Sequence, residues 1–267
     1  MSAGILLTGV LAARGERIPA PRAWGNLALI GLLLVCIGNG GVILAEQWVP
    51  SGVSAVTVAS MPFWMLGVEA LRGDRDPLST RLVAGLLVGF AGILLLVWPD
   101  VAGGSGGHQF LIGIVALQVA CVGWAIGSTL SRRHAPDESV LMAAALQMLF
   151  GGVFMMIAGT LDGEWRRLAF NARTVAAESY LTIFGSIVGY SAYTYALKYL
   201  PTATVSLYAY ANPVIAVVLG AALLGEPFGV RVVGSTVMVL AGSALVQRGG
   251  HGERQPRRHE VTENRKY

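Results

Sequence analysis

Ala45-Glu46-Gln47-Trp48-Val49-Pro50 returns 151 residues later as Ala196-Leu197-Lys198-Tyr199-Leu200-Pro201. Each stretch opens on alanine, carries an aromatic ring at its fourth position and closes on an aliphatic residue followed by proline. The same offset places Pro62 on Pro213 and Gly38 on Gly189, and after a one-residue slip Ala91-Gly92 falls on Ala241-Gly242. Each copy reads as a helix, an aromatic–aliphatic–proline break, a helix with a proline near its middle, and a helix bearing glycine. An ordered set of matches at one spacing is the mark of an internal repeat.

The solvent for which this repeat is built follows from composition. Of the 267 residues, 54% are hydrophobic and 13% charged, with a mean hydropathy of +0.63. Soluble domains carry roughly 25% charge, so this chain lacks the polar groups to cover a water-facing surface. Its apolar content equally excludes a disordered chain. Eight segments reach the roughly 17–25 apolar residues that span a bilayer: 24–45, 51–71, 80–98, 109–131, 139–160, 177–197, 202–224 and 229–247. The apolar run 1–13 is short for a span and lacks the basic leader of a signal peptide.

The second copy opens with 109–131 and 139–160, whose partners at this offset fall before residue 1 and on 1–9. The expectation is therefore an N-terminally incomplete chain of about eight and a half spans. Its first unit is 1–98, its second 109–247, and 248–267 is a basic, disordered cytoplasmic tail. The full architecture would be an all-α polytopic membrane protein of ten spans, five plus five. An odd number of spans per copy inserts the copies with opposite orientation, and such inverted repeats characterise secondary transporters with a midplane site.

Orientation follows from the basic residues. With the C-terminus in the cytoplasm, Arg14, Arg17, Arg22, Arg72, Arg75, Arg81, Arg132, Arg133, Lys198 and the six basic residues of the tail lie inside. That is fifteen of the nineteen Lys and Arg; only Arg166, Arg167, Arg173 and Arg231 lie outside. The reverse arrangement inverts the positive-inside rule.

The segment Tyr190 to Glu226 contains Ala196-Leu197-Lys198-Tyr199-Leu200-Pro201, the Asn212-Pro213-Val214 step and the closing Leu224-Gly225-Glu226. With Gly123-Trp124-Ala125 and the exit Leu130-Ser131-Arg132-Arg133, it resembles the EamA-type domain of the drug/metabolite transporter superfamily. The resemblance covers about residues 1–247. It implies ten helices, cytoplasmic termini, and export or exchange of small metabolites by alternating access across the bacterial inner membrane.

Polar groups in hydrocarbon are costly and need a partner, a cavity or a function. Asn39, Trp64, Trp124, Tyr190, Tyr193, Tyr208 and Asn212 are the candidate cavity lining, with Tyr190 the repeat partner of Asn39. The competing reading is that these residues bond one helix to another; Gln118 and Gln147 belong to the same group. Pro62 and Pro213 are candidate hinges or kinks. Glycine pairs Gly85/Gly89, Gly123/Gly127 and Gly185/Gly189 suit close helix packing. Glu69 is the carboxylate inside a span, and it would serve proton coupling if it faced the cavity. One turn before Arg72, it more simply snorkels into an i,i+3 pair. Cys36 and Cys121 read as small buried hydrophobes.

Other classes have less support. His108, His134, His251 and His259 lie in loops or the tail, and no HExxH, serine elbow or GxxxxGK motif is present, which leaves an embedded hydrolase or ATP-driven pump without its machinery. A channel filter motif is also missing. A non-transporting structural or receptor protein remains as the alternative, although it leaves the repeat unexplained. The expected partners are a small solute and the lipid bilayer, with a homodimer left open; nucleic acid, metal and cofactor are not expected. A reporter fused after Tyr267 should be active only in its cytoplasmic form; strong periplasmic activity would overturn the orientation.

Overall fold

The computed structural model describes residues 1–71, 80–102, 107–133, 139–167, 170–200 and 229–251, together with Val205, Ile215, Leu219 and Ala222. Every regular element among them is helical: α1 (Ser2–Ala13), α2 (Pro21–Ala45), α3 (Ser51–Val58), α4 (Met61–Leu71), α5 (Thr80–Ala102), α6 (Gly107–Arg133), α7 (Val140–Leu161), α8 (172–199) and α9 (Val230–His251). A helix satisfies its backbone within itself, which hydrocarbon demands because it offers no hydrogen-bonding partner.

Helix ends follow local chemistry. Pro21 opens α2, where a missing N–H loses nothing. The Ser139 hydroxyl caps α7 by accepting from the Met142 amide at 3.4 Å. Asn171 and Thr174 form a reciprocal capping box at the start of α8, with bonds of 2.9 and 3.0 Å. Pro50 disfavours helical geometry at Val49, so α2 stops at Ala45 and α3 starts at Ser51. After α7 the chain turns through Gly163 at φ +72°, a left-handed conformation that suits glycine.

Pro62 sits differently from its expected mid-helix place. The segment 51–71 breaks at Ala59–Ser60, where the Phe63 amide donates to the Ser60 carbonyl at 2.9 Å, and α4 begins at Met61. Pro62 thus lies in the first turn of a new helix, where its lack of a donor costs little. Pro213 lies outside the described residues.

Three described helices, Pro21–Ala45, Gly107–Arg133 and Val140–Leu161, are long and apolar enough to cross a membrane. Of the other segments expected as spans, 177–197 lies within α8, and the rest are divided, shortened or described only in part. The break at Ala59–Ser60 splits 51–71, the apolar parts of α5 and α9 are Val83–Leu96 and Val230–Gly242, and 202–224 is described only at its four isolated positions. Helix α9 carries 248–251 in helical form, and 252–267 lies outside the described residues.

Large apolar side chains cover the outside. Leu87, Leu94, Val115, Phe184 and Val237 are all exposed, an arrangement that water penalises and lipid does not. Small residues stand at the helix contacts: Ala143, Ala144, Ala145, Gly151 and Gly152 of α7 are buried. Such small residues let backbones approach closely, the usual source of helix association in membranes. Buried hydroxyls of Thr57, Thr129 and Thr194 donate to carbonyls four residues earlier, at 2.8, 2.8 and 2.9 Å.

Helix α6 is central. Gly113 faces Ala45 and Val49, Gly123 faces Leu33 and Ile37, and Gly127 faces Leu33 and Leu34; residue numbers rise on α6 as they fall on α2, so the two run antiparallel. On another side, Cys121 and Ala125 pack against Met61 and Met65 of α4. Helix α7 lies parallel to α2, since Gly31 faces Gln147 while Gly151 faces Val35. After a short connection, α8 returns against α7 and is therefore antiparallel to α2.

Helices α5 and α9 form a separate close pair. Gly92 faces Ser235, Met238 and Val239, whereas Gly242 faces Gly85 and Gly89. Adding 150 to 85, 89 and 92 gives 235, 239 and 242, so the contact reads the same from either helix, and the pair is antiparallel. A Cβ at Gly242 would lie 2.5 Å from the Gly89 backbone nitrogen, while none of the described atoms comes within 4 Å of one at Gly234. Gly242→Val should therefore destabilise the protein in detergent by about 1–3 kcal/mol. Gly234→Ala on the same helix should be neutral or stabilising by up to about 1 kcal/mol; equal melting temperatures for the two variants would contradict this packing.

Candidate functional site

Two wide turns mark the walls of the site. Within α2, Leu32–Asn39 is π-helical, and within α8, Leu181–Tyr190 is π-helical. These i→i+5 turns are rare and cluster at functional sites. They end at Asn39 and Tyr190, two residues 151 apart.

A cavity of about 580 Å³ lies between α2, α6, α7 and α8, with Leu34, Asn39, Trp124, Met148, Tyr190 and Tyr193 among its walls. A second, of about 410 Å³, has Gly38, Asn39, Val42, Glu46, Ser54 and Trp124 among its walls. Asn39 and Trp124 face both. Because α2 and α8 are antiparallel, the larger cavity extends toward Leu200 and Val205 at one end of the bundle. The smaller extends toward Glu46 and Ser51 at the other. The volumes match those of small-molecule sites, roughly 300–1,000 Å³.

Four wall positions correspond between the two cavities. Gly38, Asn39, Val42 and Ser54 of the smaller cavity stand 151 positions before Gly189, Tyr190, Tyr193 and Val205 of the larger. The correspondence is one of position and not of chemistry, because the larger cavity has two phenols where the smaller has an amide and an isopropyl group.

Trp124 divides the two spaces. Its indole lies against Gly38, where any Cβ would overlap the ring. The ring also meets Tyr193, with centroids 5.8 Å apart and planes at 39°. The Ser128 hydroxyl donates to the Trp124 carbonyl, so its oxygen receives the Tyr193 proton, at 2.6 Å. The Tyr190 hydroxyl donates to Gln147 Oε1 at 2.9 Å. Both tyrosines thus line a cavity with their rings while joining α8 to α6 and α7 through their hydroxyls. Asn39 has no side-chain hydrogen bond among the described residues.

Trp64 is placed elsewhere. Its indole N–H donates to Gln118 Oε1 at 2.9 Å, and its ring meets Phe90 edge-on at 6.5 Å. It packs with Met61, Met65 and Cys121 and walls neither cavity. Gly185 and Gly189 are cavity wall and not helix contacts, unlike Gly123 and Gly127. Cys121 is buried and Cys36 partly so. Tyr208, Asn212 and the side chain of Glu69 lie outside the described residues. Glu46 and Ser54 were not singled out in the sequence, because a glutamate at a helix end and a serine in a short helix carry no motif.

Residues 1–98 and 111–248 match the EamA-like transporter family. The chain belongs to that family. It is also 39% identical over 229 residues to the inner membrane transporter YedA of Escherichia coli (strain K12), covering 85% of this chain and 72% of that protein. Identity to the transporter YvbV of Bacillus subtilis (strain 168) is 22%, over 91% of this chain and 78% of that one. A solved crystal structure superposes with a TM-score of 0.64 at 18% identity, over 94% of this chain and 85% of its own, which places the chain in that fold. This EamA-family chain is accordingly a multi-pass membrane protein and a transporter.

The Tyr190–Gln147 pair gives a direct test of how the wall is held. Gln147 is buried, so Tyr190→Phe leaves its carbonyl oxygen without a donor and should cost about 1–3 kcal/mol. Adding Gln147→Leu removes both partners and should recover part of that loss in a detergent melt. Strictly additive losses would show that the hydrogen bond does not hold α8 to α7.

Proposed function

We propose that this protein is a secondary transporter that exports or exchanges a small amphipathic solute, amino acid-like or similar in size, across the cytoplasmic membrane by alternating access. The observation that carries the reading is the pair of cavities extending to opposite ends of the bundle and meeting at Asn39 and Trp124. Alternating access needs two half-paths around one site near the membrane centre, with a barrier that can change sides. Trp124 on Gly38 supplies a bulky barrier, and the π-helical turns at Asn39 and Tyr190 supply backbone able to rearrange.

An inverted repeat underlies the exchange on this reading. It is supported by the 151-residue correspondence of the cavity walls and by the antiparallel, reciprocal glycine contacts of α5 and α9. Two equivalent units of opposite orientation can swap conformations, so that the state open to one side becomes the state open to the other. The basic residues would place the C-terminus, the Leu200 end and the larger cavity on the cytoplasmic side, and the Glu46 end outside.

The solute site would be lined by Asn39, Trp124, Tyr190 and Tyr193, joined by Tyr208 and Asn212. Trp64 would act on it only through Gln118. Metabolite profiling of medium from cells with and without the protein identifies the solute. Asn39→Ala and Trp124→Ala should each reduce its efflux about tenfold at unchanged expression, the effect of losing roughly 1.4 kcal/mol of binding. Efflux that survives both substitutions would remove the central site from this proposal.

A further inference from the structure

Gly38 and Gly189 are equivalent in the repeat, yet one is occupied and the other open. At Gly38 the indole of Trp124 lies directly on the backbone. At Gly189, apart from the adjoining helix backbone, a Cβ would meet only the Phe184 carbonyl oxygen among the described atoms, at 3.1 Å. One turn earlier, at Gly185, the sole such neighbour is a Leu181 methyl at 3.8 Å. Both glycines wall the larger cavity, and both are exposed. Where α8 has Gly185, α2 has Leu34, so the bare surface on α8 is longer than the one the indole covers.

The other walls suit a flat guest. Trp124, Tyr190 and Tyr193 bring three aromatic rings to the cavity. The two phenol protons are already given to Gln147 and Ser128, which leaves the rings and not those protons for a guest. Asn39 is half-buried in the same wall, and its amide has no hydrogen-bond partner among the described residues. Unlike the hydroxyls of Ser54 and Ser191, that amide is not sealed inside the protein. An amide can both donate and accept.

We propose that the Gly185–Gly189 surface of the larger cavity is a seat for the flat aromatic ring of the solute, and that the Asn39 amide bonds the ring's polar substituent. A ring can rest on helix backbone only where no Cβ intervenes, one of the uses of glycine beside ligands. Trp124 on Gly38 is the same contact made by the protein itself at the equivalent turn. The surrounding rings add offset or edge-to-face contacts that a saturated ring cannot return. A puckered ring of the same size also carries axial hydrogens that hold it off the backbone. This inference rests on the reading of the larger cavity as part of the solute path, and adds the shape of the solute that fits it.

The test uses the full chain in detergent and two probes sharing one polar group, benzamide and cyclohexanecarboxamide. Isothermal titration calorimetry reads each affinity. Wild-type protein should bind benzamide about three- to tenfold more tightly, the scale of one ring–ring contact, although the saturated probe is the more apolar. Gly189→Ala should weaken benzamide about tenfold and bring the two probes level. Gly185→Ala adds a methyl in ordinary contact only, so it should fold and lower the preference even if Gly189→Ala does not fold. Gly25→Ala, with none of the described atoms within 4 Å of its Cβ, should leave both affinities within about twofold. Asn39→Leu should weaken both probes alike, and unchanged affinities there would overturn the amide contact. Equal wild-type affinities, or no benzamide binding at millimolar concentration, overturn the proposal without any variant. A preference that persists in folded Gly185→Ala and Gly189→Ala overturns it too. Proteoliposomes keep the two readings apart: ring-selective binding without movement sinks the transport path alone, and movement of other solutes without ring selectivity sinks this inference alone.

Discussion

The indole of Trp124 rests on the bare backbone of Gly38, and the cavity system is arranged around that contact. Any side chain at residue 38 would take the space of the ring. With the ring seated there, α6 closes on α2 through Gly123 and Gly127, and Tyr193 packs on the same indole. Ser128, one turn along α6, then holds both the Trp124 carbonyl and the Tyr193 hydroxyl. One glycine therefore sets the position of the indole between the cavities, the spacing of two helices and the orientation of a wall residue. Water does not enforce this arrangement, because the outer surface is already apolar; close packing of small residues does.

The close packing is unevenly distributed. Helices α5 and α9 meet through glycines on both sides and share a core with Ala45, Val56 and Leu117. In α8, by contrast, no residue from 172 to 190 is buried, and its glycines face a cavity. Hydrogen bonds from Tyr190 and Tyr193 replace tight packing there. These bonds are directional and can be exchanged singly, whereas interlocked glycine contacts must separate together. On the proposed transport reading, the wall held by a few hydroxyls would be the moving part and the densely packed remainder the stationary one.

Much of this could be read from residue order. The 151-residue offset pairs Asn39 with Tyr190, and both wall the larger cavity. Trp124 and Tyr193 wall it too. Trp64 does not, since periodicity cannot tell a ring facing a cavity from one facing Phe90 and Gln118. Pro62 misled for a related reason: a proline inside a long apolar run reads as a kink, and only the hydrogen bonds at Thr57–Ser60 and Ser60–Phe63 reveal two helices. The π-helical turns had no sequence signature at all, because they differ from α-helix by one hydrogen-bond register and not by residue type. The open turn at Gly189 was invisible for the opposite reason: its significance is the absence of a neighbour, which only packing can establish.

On the proposed reading, equivalent positions with different side chains let a carrier bind its solute differently from its two sides. Two chemically identical half-cavities would bind the solute alike from either side, and each would need the same rearrangement to release it. Replacing Asn39, Val42 and Ser54 by Tyr190, Tyr193 and Val205 keeps the backbone equivalence that lets the units exchange conformations. It also gives each side its own chemistry, two phenol rings in one and an amide and a serine hydroxyl in the other. Binding free energy differs between the two half-cavities for any solute with distinct polar and apolar ends. Such a difference cannot drive net transport, since a carrier does not alter the equilibrium between compartments. It can set which step is slow, and so which side of the cycle is occupied at working concentrations. On that reading the repeat would supply the motion, and divergence between its copies would decide which step is slow.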